Sequence, residues 1–251
     1  MYRGFNLQLN SRFKDEYHKY GSNLYDEKKS IIHSSIKNYV IENGVLDGSK
    51  IQDDWFPLID ADIFISHSRK DEYRATCLAG WLEKEMKLKC FIDSHVWGYA
   101  DELIGLLDEK HSKISDSLYS YEKVLLTTSH VHMMLTIAIT SMIDKTECLV
   151  FLNSPMSLST KNFSDDIHES VTSSPWIFSE LSISQTIRKK DKEEHRGRTI
   201  VAKAVTEGLH MEYKAPIHHL TPISLNDLTL LESSKGKYRY PLDIIYDKYK
   251  E

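Results

Sequence analysis

The chain has 251 residues, 41% of them hydrophobic and 27% charged, a composition that fits a soluble globular protein able to bury a core without staples. A net charge of −5 argues against non-specific nucleic-acid binding, which needs a basic face. The three cysteines, Cys77, Cys90 and Cys148, have no metal-ligand or redox spacing and fit buried thiols in a reduced, cytoplasmic protein.

The first segment, MYRGFNLQLNSRFKDEYHKYG, is broken by charges and does not read as a signal peptide. Ile32, Ile36, Tyr39 and Val40 recur at helical spacing, with Asn43-Gly44 as a C-cap and Asp47-Gly48 as a turn. Trp55 and Phe56 precede Pro57 and are expected to dock this part on the main domain. Residues 1–60 are therefore predicted to be a helical N-terminal extension, and 61–251 the main domain with a C-terminal tail.

From Asp62 the pattern alternates. Asp62 to Ser66 predicts a strand, and Leu78, Trp81, Leu82 and Met86 mark a helix face. Lys89 to Asp93 predicts a second strand, and Cys148 to Asn153 a third. Between them lie helical stretches over about Tyr99 to Ser112 and Val131 to Ile143, the latter apolar nearly all round and too short to span a bilayer. A polar loop of about twenty residues is expected after Pro155. A helix capped by Ser174, with Pro175 at its first position, then runs to about Lys190. Arg198 to Val205 and Tyr213 to Leu220 are further candidate strands. This order predicts an α/β fold, a central parallel sheet with helices on both faces.

Ligands of such sheets sit beyond the carboxyl ends of the strands. That places Ser68, Arg69 and Lys70 after strand one, where basic side chains and free N–H groups suit a phosphate; a solvated basic turn fits the same residues. Asp93 closes strand two. Trp97 and Tyr99 come after it in a loop, as stacking platforms for a base or as core anchors. On the last helix Trp176, Glu180, Ile183 and Ile187 share one face. A carboxylate among apolar neighbours either reaches water at the rim or finds a partner or a task. Neither His130 and His132 nor His218 and His219 have metal-ligand spacing, and no metal site is expected. No phosphate-loop, dinucleotide or nucleophile-elbow motif is present.

These runs together carry a family resemblance. DIFISHSRKDE at Asp62 to Glu72 resembles the first strand and turn of TIR domains, CFID at Cys90 to Asp93 the second strand, and CLVFLNSP at Cys148 to Pro155 the third. Ser94 to Tyr99 falls in the family's BB loop. Trp176-Ile177-Phe178-Ser179-Glu180 matches the W-x-x-x-E motif of enzymatic TIR domains. The resemblance covers roughly residues 60 to 220, and VHMMLTIAITSMID at Val131 to Asp144 together with SPWIFSE brings it nearest to the TIR proteins of bacterial Thoeris anti-phage systems.

The resemblance implies a flavodoxin-like TIR fold, Glu180 as the catalytic residue, and cleavage of NAD⁺ between nicotinamide and ribose. NAD⁺ is then a substrate and no cofactor is needed. Ser68, Arg69 and Lys70, with Asp93, Trp97, Tyr99 and Trp176, become the expected binding residues. The expected product is an ADP-ribose-derived signalling nucleotide, cyclic or conjugated, that reaches a downstream effector by diffusion. The expected partners are further copies of the chain through TIR contacts, with neither nucleic acid nor membrane. A non-catalytic TIR adaptor and an unrelated flavodoxin-like nucleotide binder are the alternatives.

Overall fold

Short runs of β-branched and aromatic residues, Ile63-Phe64-Ile65 and Leu149-Val150-Phe151-Leu152 among them, alternate with longer segments of helical period, and this alternation builds the fold. The computed structural model describes residues 1–8, 14–29, 39, 46–164, 167–196, 213–214, 217–233, 236 and 238–249; residues 24–29, 95–98, 160–164, 167–169 and 213–214 are described by backbone alone. In chain order the elements are β1 (Arg3–Gln8), α1 (Asp15–Lys29), α2 (Gly48–Trp55), β2 (Ile63–Ser66), α3 (Glu72–Met86), β3 (Cys90–Ile92), α4 (Ser94–Leu107), β4 (Lys113–Ser115), β5 (Leu118–Tyr119) and α5 (Tyr121–Lys145). The second half of the chain adds β6 (Cys148–Asn153), β7 (Ser159–Ser164), β8 (Ile167–Thr172), α6 (Pro175–Thr186), α7 (Lys192–His195), β9 (Tyr213–Lys214), β10 (Thr221–Ser224), α8 (Leu225–Ser233) and α9 (Leu242–Lys248).

Five strands form a parallel sheet in the order β10-β1-β6-β2-β3. The fold is α/β and flavodoxin-like, with helices on both faces. Successive side chains of a strand point to opposite faces, so Phe64, Leu149 and Phe151 join one core with Trp55, Leu103, Leu135, Ile139 and Ile177. Ile63, Ile65, Val150 and Leu152 join the other with Phe5, Leu78, Leu82, Leu231 and Ile245. Every residue of β2 is buried, as are the first five of β6, which accounts for their continuous apolar character.

The N-terminal sixty residues supply helices α1 and α2, on either side of the stretch from Ile32 to Val40 where a helix is expected, and also a strand that the helical expectation leaves out. β1 lies between β6 and β10, with Arg3 opposite Cys148 and Phe5 opposite Thr221. Numbered along the chain, the sheet strands run 3-2-4-1-5, so β1 fills the fourth place of a 2-1-3-4-5 flavodoxin-like sheet. Residue 60 therefore does not divide two cores. The physical reason is the alternation of Phe5 and Leu7, both buried on one face, within a run too short to show a clear period. Trp55 and Phe56 are buried in the core, as the docking expectation requires. Asp47 caps α2 through its carboxylate, which accepts from the Lys50 N–H at 3.0 Å. Tyr39 is buried; Ile32, Ile36, Val40 and Asn43-Gly44 lie outside the described residues, as do Arg198 to Val205.

Elsewhere the structure corrects three expectations. The polar stretch after Pro155 is largely an antiparallel hairpin, β7 and β8, extended by β9. Among the described residues of the stretch from Tyr213 to Leu220, only Tyr213–Lys214 is a strand, and β10 begins just beyond, at Thr221. Helix α5 starts at Tyr121, ten residues before the apolar run, and has the length and apolarity of a membrane-spanning helix. Val131, Leu135, Ile139, Met142 and Ile143, from its middle to its end, are buried in the sheet's core, while Tyr121, Leu125 and Leu126 at its start are exposed.

Candidate active site

Strands β2 and β3 run parallel, with Ile65 opposite Ile92, so the residues that leave their carboxyl ends emerge side by side. These are Ser66 and His67 on one and Asp93 on the other. Helix α6 brings Glu180 to them. Ser174 caps it by accepting from the Ile177 N–H at 3.3 Å, and Pro175 fits the first turn because no N–H is needed there. Its buried residues are Ile177, Glu180, Leu181 and Ser184, the i, i+3, i+4, i+7 set of one helix face. Glu180 is thus central to the buried face and is not at its rim; Trp176 and Ile183 are half-buried beside it.

Four polar side chains meet there, and Ser66, His67, Asp93 and Glu180 are all 0% exposed. Ser66 Oγ donates to Glu180 Oε2 at 2.6 Å. His67 Nδ1 lies 2.6 Å from Asp93 Oδ1. The Asp93 carboxylate also accepts from the Ser94 N–H at 2.7 Å and thereby caps α4. Asp93 and Glu180 are within hydrogen-bonding reach of each other.

The electrostatics are set by burial. Loss of water pushes the Glu180 carboxyl well above the usual carboxylate range, the Asp93 charge beside it pushes the same way, and the Ser66 hydrogen bond opposes both. For His67 burial disfavours the imidazolium. The adjacent Asp93 carboxylate outweighs that, with help from the Ile65 backbone and Glu72, and the pKa is raised above 6.5. An imidazole and a carboxyl, both of raised pKa, therefore sit beside Asp93 in one buried cluster.

The other expected residues divide. Ser68 caps the short turn Arg69–Asp71, accepting from the Lys70 N–H at 3.4 Å. Arg69 and Lys70 are exposed there, with Arg69 Nη2 at 3.6 Å from Asp101. Asp71 is buried, accepts a hydrogen bond from Ser154 Oγ, and pairs with Arg74 at 3.3 Å, so the exits of β2 and β6 are tied together. Trp176 stands edge-on to His132, ring centroids 5.5 Å apart, and burial lowers the pKa of that histidine. The expected loop after Asp93 is instead the start of α4. Tyr99, Ala100, Leu103 and Leu107 form one apolar face that carries the helix back to the strand end. Tyr99 is accordingly buried in the core and presents no open stacking surface. The Trp97 side chain lies outside the described residues.

Sequence reasoning did not single out Ser66 and His67. Their signal was position alone: the last strand residue and the next, polar, after a fully apolar run. His218 and His219 lie in a turn where a strand was expected. His219 Nε2 is 2.8 Å from Ser184 Oγ, but that hydroxyl donates to the Leu181 carbonyl at 2.9 Å, so its proton is not directed at the imidazole. This is not the geometry of an activated serine.

Comparison with protein-family models, with curated proteins and with solved structures finds no match to this chain.

Proposed function

We propose that this chain is a TIR-domain enzyme that cleaves the nicotinamide–ribose bond of NAD⁺, with Glu180 as its catalytic carboxylate. The observation that carries the reading is the convergence of the W-x-x-x-E glutamate with Ser66, His67 and Asp93 at the carboxyl ends of two parallel strands. That is where ligands of open α/β sheets bind. Nicotinamide leaves as a neutral group, so the reaction needs little acid assistance. Its transition state is oxocarbenium-like, and a carboxylate near the ribose stabilises the positive charge that develops. Ser68, Arg69 and Lys70, at the neighbouring turn, are suited to the pyrophosphate. Trp176, half-buried beside Glu180, is suited to one face of a ring.

The acceptor sets the product: water gives ADP-ribose, an adenine nitrogen a cyclic isomer, another nucleophile a conjugate. In the reading we favour, the product is a diffusible signal that activates a partner effector in anti-phage defence. Assembly is supported by an exposed apolar group, Ile114, Leu118, Tyr119, Tyr121, Leu125 and Leu126, on the β4–β5 hairpin and the start of α5.

One observation favours a second reading. Glu180 is wholly buried, and a non-catalytic TIR adaptor would use it only to hold α6 on the sheet. Incubation of concentrated, assembled protein with NAD⁺, with mass spectrometry of the resulting nucleotide pool, separates the two. The enzyme reading expects free nicotinamide and a new nucleotide from the wild type and neither from Glu180→Gln. Equal turnover by both proteins, or none by either in assembled form, rejects it.

A further inference from the structure

Two oxygen atoms in the cluster are buried without a hydrogen-bond donor: Glu180 Oε1 and Asp93 Oδ2. Each belongs to a carboxyl whose other oxygen is answered, Glu180 Oε2 by Ser66 and Asp93 Oδ1 by His67 and the Ser94 N–H. The two carboxyls are also within hydrogen-bonding reach of each other. Two facing carboxylates would leave both oxygens unsatisfied and two like charges in a dry site, which is costly on both counts. One proton between them removes both costs.

We propose that Glu180 and Asp93 hold a single proton between them, with His67 as the counter-cation that makes Asp93 the anionic member of the pair. The arrangement is Glu180 Oε1–H donating to Asp93 Oδ2, with the His67 imidazolium against Asp93 Oδ1. The cluster carries one positive and one negative charge and sums to zero, which suits a place closed to water. Glu72 is the further charged group acting on His67, and Asp93 the charged group acting on Glu180. Burial and the Asp93 charge raise the Glu180 pKa in the same direction.

The catalytic consequence rests on the reading of Glu180 as the catalytic carboxylate. A neutral Glu180 does not stabilise an oxocarbenium ion. The closed cluster is then a latched state, and His67 and Asp93 are positioning residues that hold the latch. Working requires separation of the two carboxyls, with the proton passing to Asp93 or to water and Glu180 left as the anion.

The test is infrared spectroscopy of protein carrying ¹³C-glutamate. At neutral pH the wild type is expected to show the carbonyl band of a protonated glutamic acid, and Glu180→Gln to lose it. In Asp93→Asn the amide replaces the like charge with a donor, and the midpoint of that band's titration should fall by about one pH unit or more. A wild type with no such band overturns the proposal without recourse to any variant that fails to fold, as does a midpoint unmoved in folded Asp93→Asn. The readout is independent of turnover. The band without NAD⁺ cleavage keeps the shared proton and rejects the enzyme; cleavage without the band does the reverse.

Discussion

Ser66 Oγ donates to Glu180 Oε2 across 2.6 Å, joining two residues 114 positions apart. Both are wholly buried, so no water stands ready to replace either partner. In Ser66→Ala the glutamate oxygen loses its donor and remains inside. The expected cost is about 1–3 kcal/mol in urea denaturation. Ser66→Cys keeps a weak donor at the same place and should fall between. A neutral effect of Ser66→Ala would mean that the hydrogen bond does not hold α6 on the sheet.

Glu180 makes stability depend on pH. In the unfolded chain it loses its proton near its ordinary value of 4.5, while the folded protein keeps the proton to higher pH. Between those points the folded state binds more protons, so stability falls as pH rises above 4.5. His67 acts in the same direction. Its raised pKa contributes stability that is complete below 6.5 and lost as pH climbs through the folded value. Glu180→Gln removes the first contribution and keeps a group able to donate to Asp93. Its melting temperature relative to wild type should therefore be higher at about pH 8 than at about pH 5. The same difference at both values would place no titrating carboxyl at position 180.

The sheet was legible where strands are buried on both faces, because Ile63-Phe64-Ile65 and Cys148 to Leu152 can hardly be anything but core. The α6 cap was legible for a local reason as well: Ser174-Pro175 is chemistry within one turn. β1 was not, since Arg3, Asn6 and Gln8 interrupt it and its partners begin 145 residues away at Cys148. The cluster was legible in part: Asp93 was among the expected binding residues, whereas His67 is an ordinary residue in sequence, and only the register of β2 against β3 places the two in contact. Glu180 was found through a motif, and its burial between Ile177 and Leu181 came only with the fold. The helical start at Ser94 was missed because Trp97-Gly98 reads as a loop, while the apolar face that extends the helix begins later, at Tyr99.

Helices α1 and α3 cross at two glycines. A methyl on Gly80 would fall 2.1 Å from the Tyr17 carbonyl oxygen and 2.9 Å from the Gly21 nitrogen, and one on Gly21 would fall 2.4 Å from the Thr76 carbonyl oxygen. These neighbours are backbone and cannot rotate away. Alanine is the better helix former by about 1 kcal/mol, but here the clash decides the sign. Gly80→Ala should destabilise by about 1–3 kcal/mol, the range for overpacking. Hydrogen exchange should show the loss first in α1, whose contact with α3 is broken, and later in β2 and β6. Unchanged protection of α1 would show that the two helices separate without cost.

Arg196 grips Glu147 in a two-bond fork, Nε to Oε2 at 3.0 Å and Nη2 to Oε1 at 2.8 Å, and reaches Asp243 of α9 at 3.0 Å. The Glu147 carbonyl in turn accepts from the Tyr2 N–H at 2.8 Å, so one guanidinium ties α9 to the place where β1 and β6 begin. Burial raises the Glu147 pKa, and the Arg196 charge opposes the rise. Arg196→Ala leaves that carboxylate partly buried without its fork, at an expected cost of about 3 kcal/mol. Arg196→Lys keeps the charge but not the two-bond geometry and should lose less. The alanine variant's deficit should shrink as pH falls, because protonation of Glu147 removes the unpaired charge and weakens the pair in the wild type too. The guanidinium also lies 3.8 Å from the Tyr240 ring centroid. A deficit that is the same from acidic to neutral pH would assign the loss to that stacking and reject the ion pair as its source.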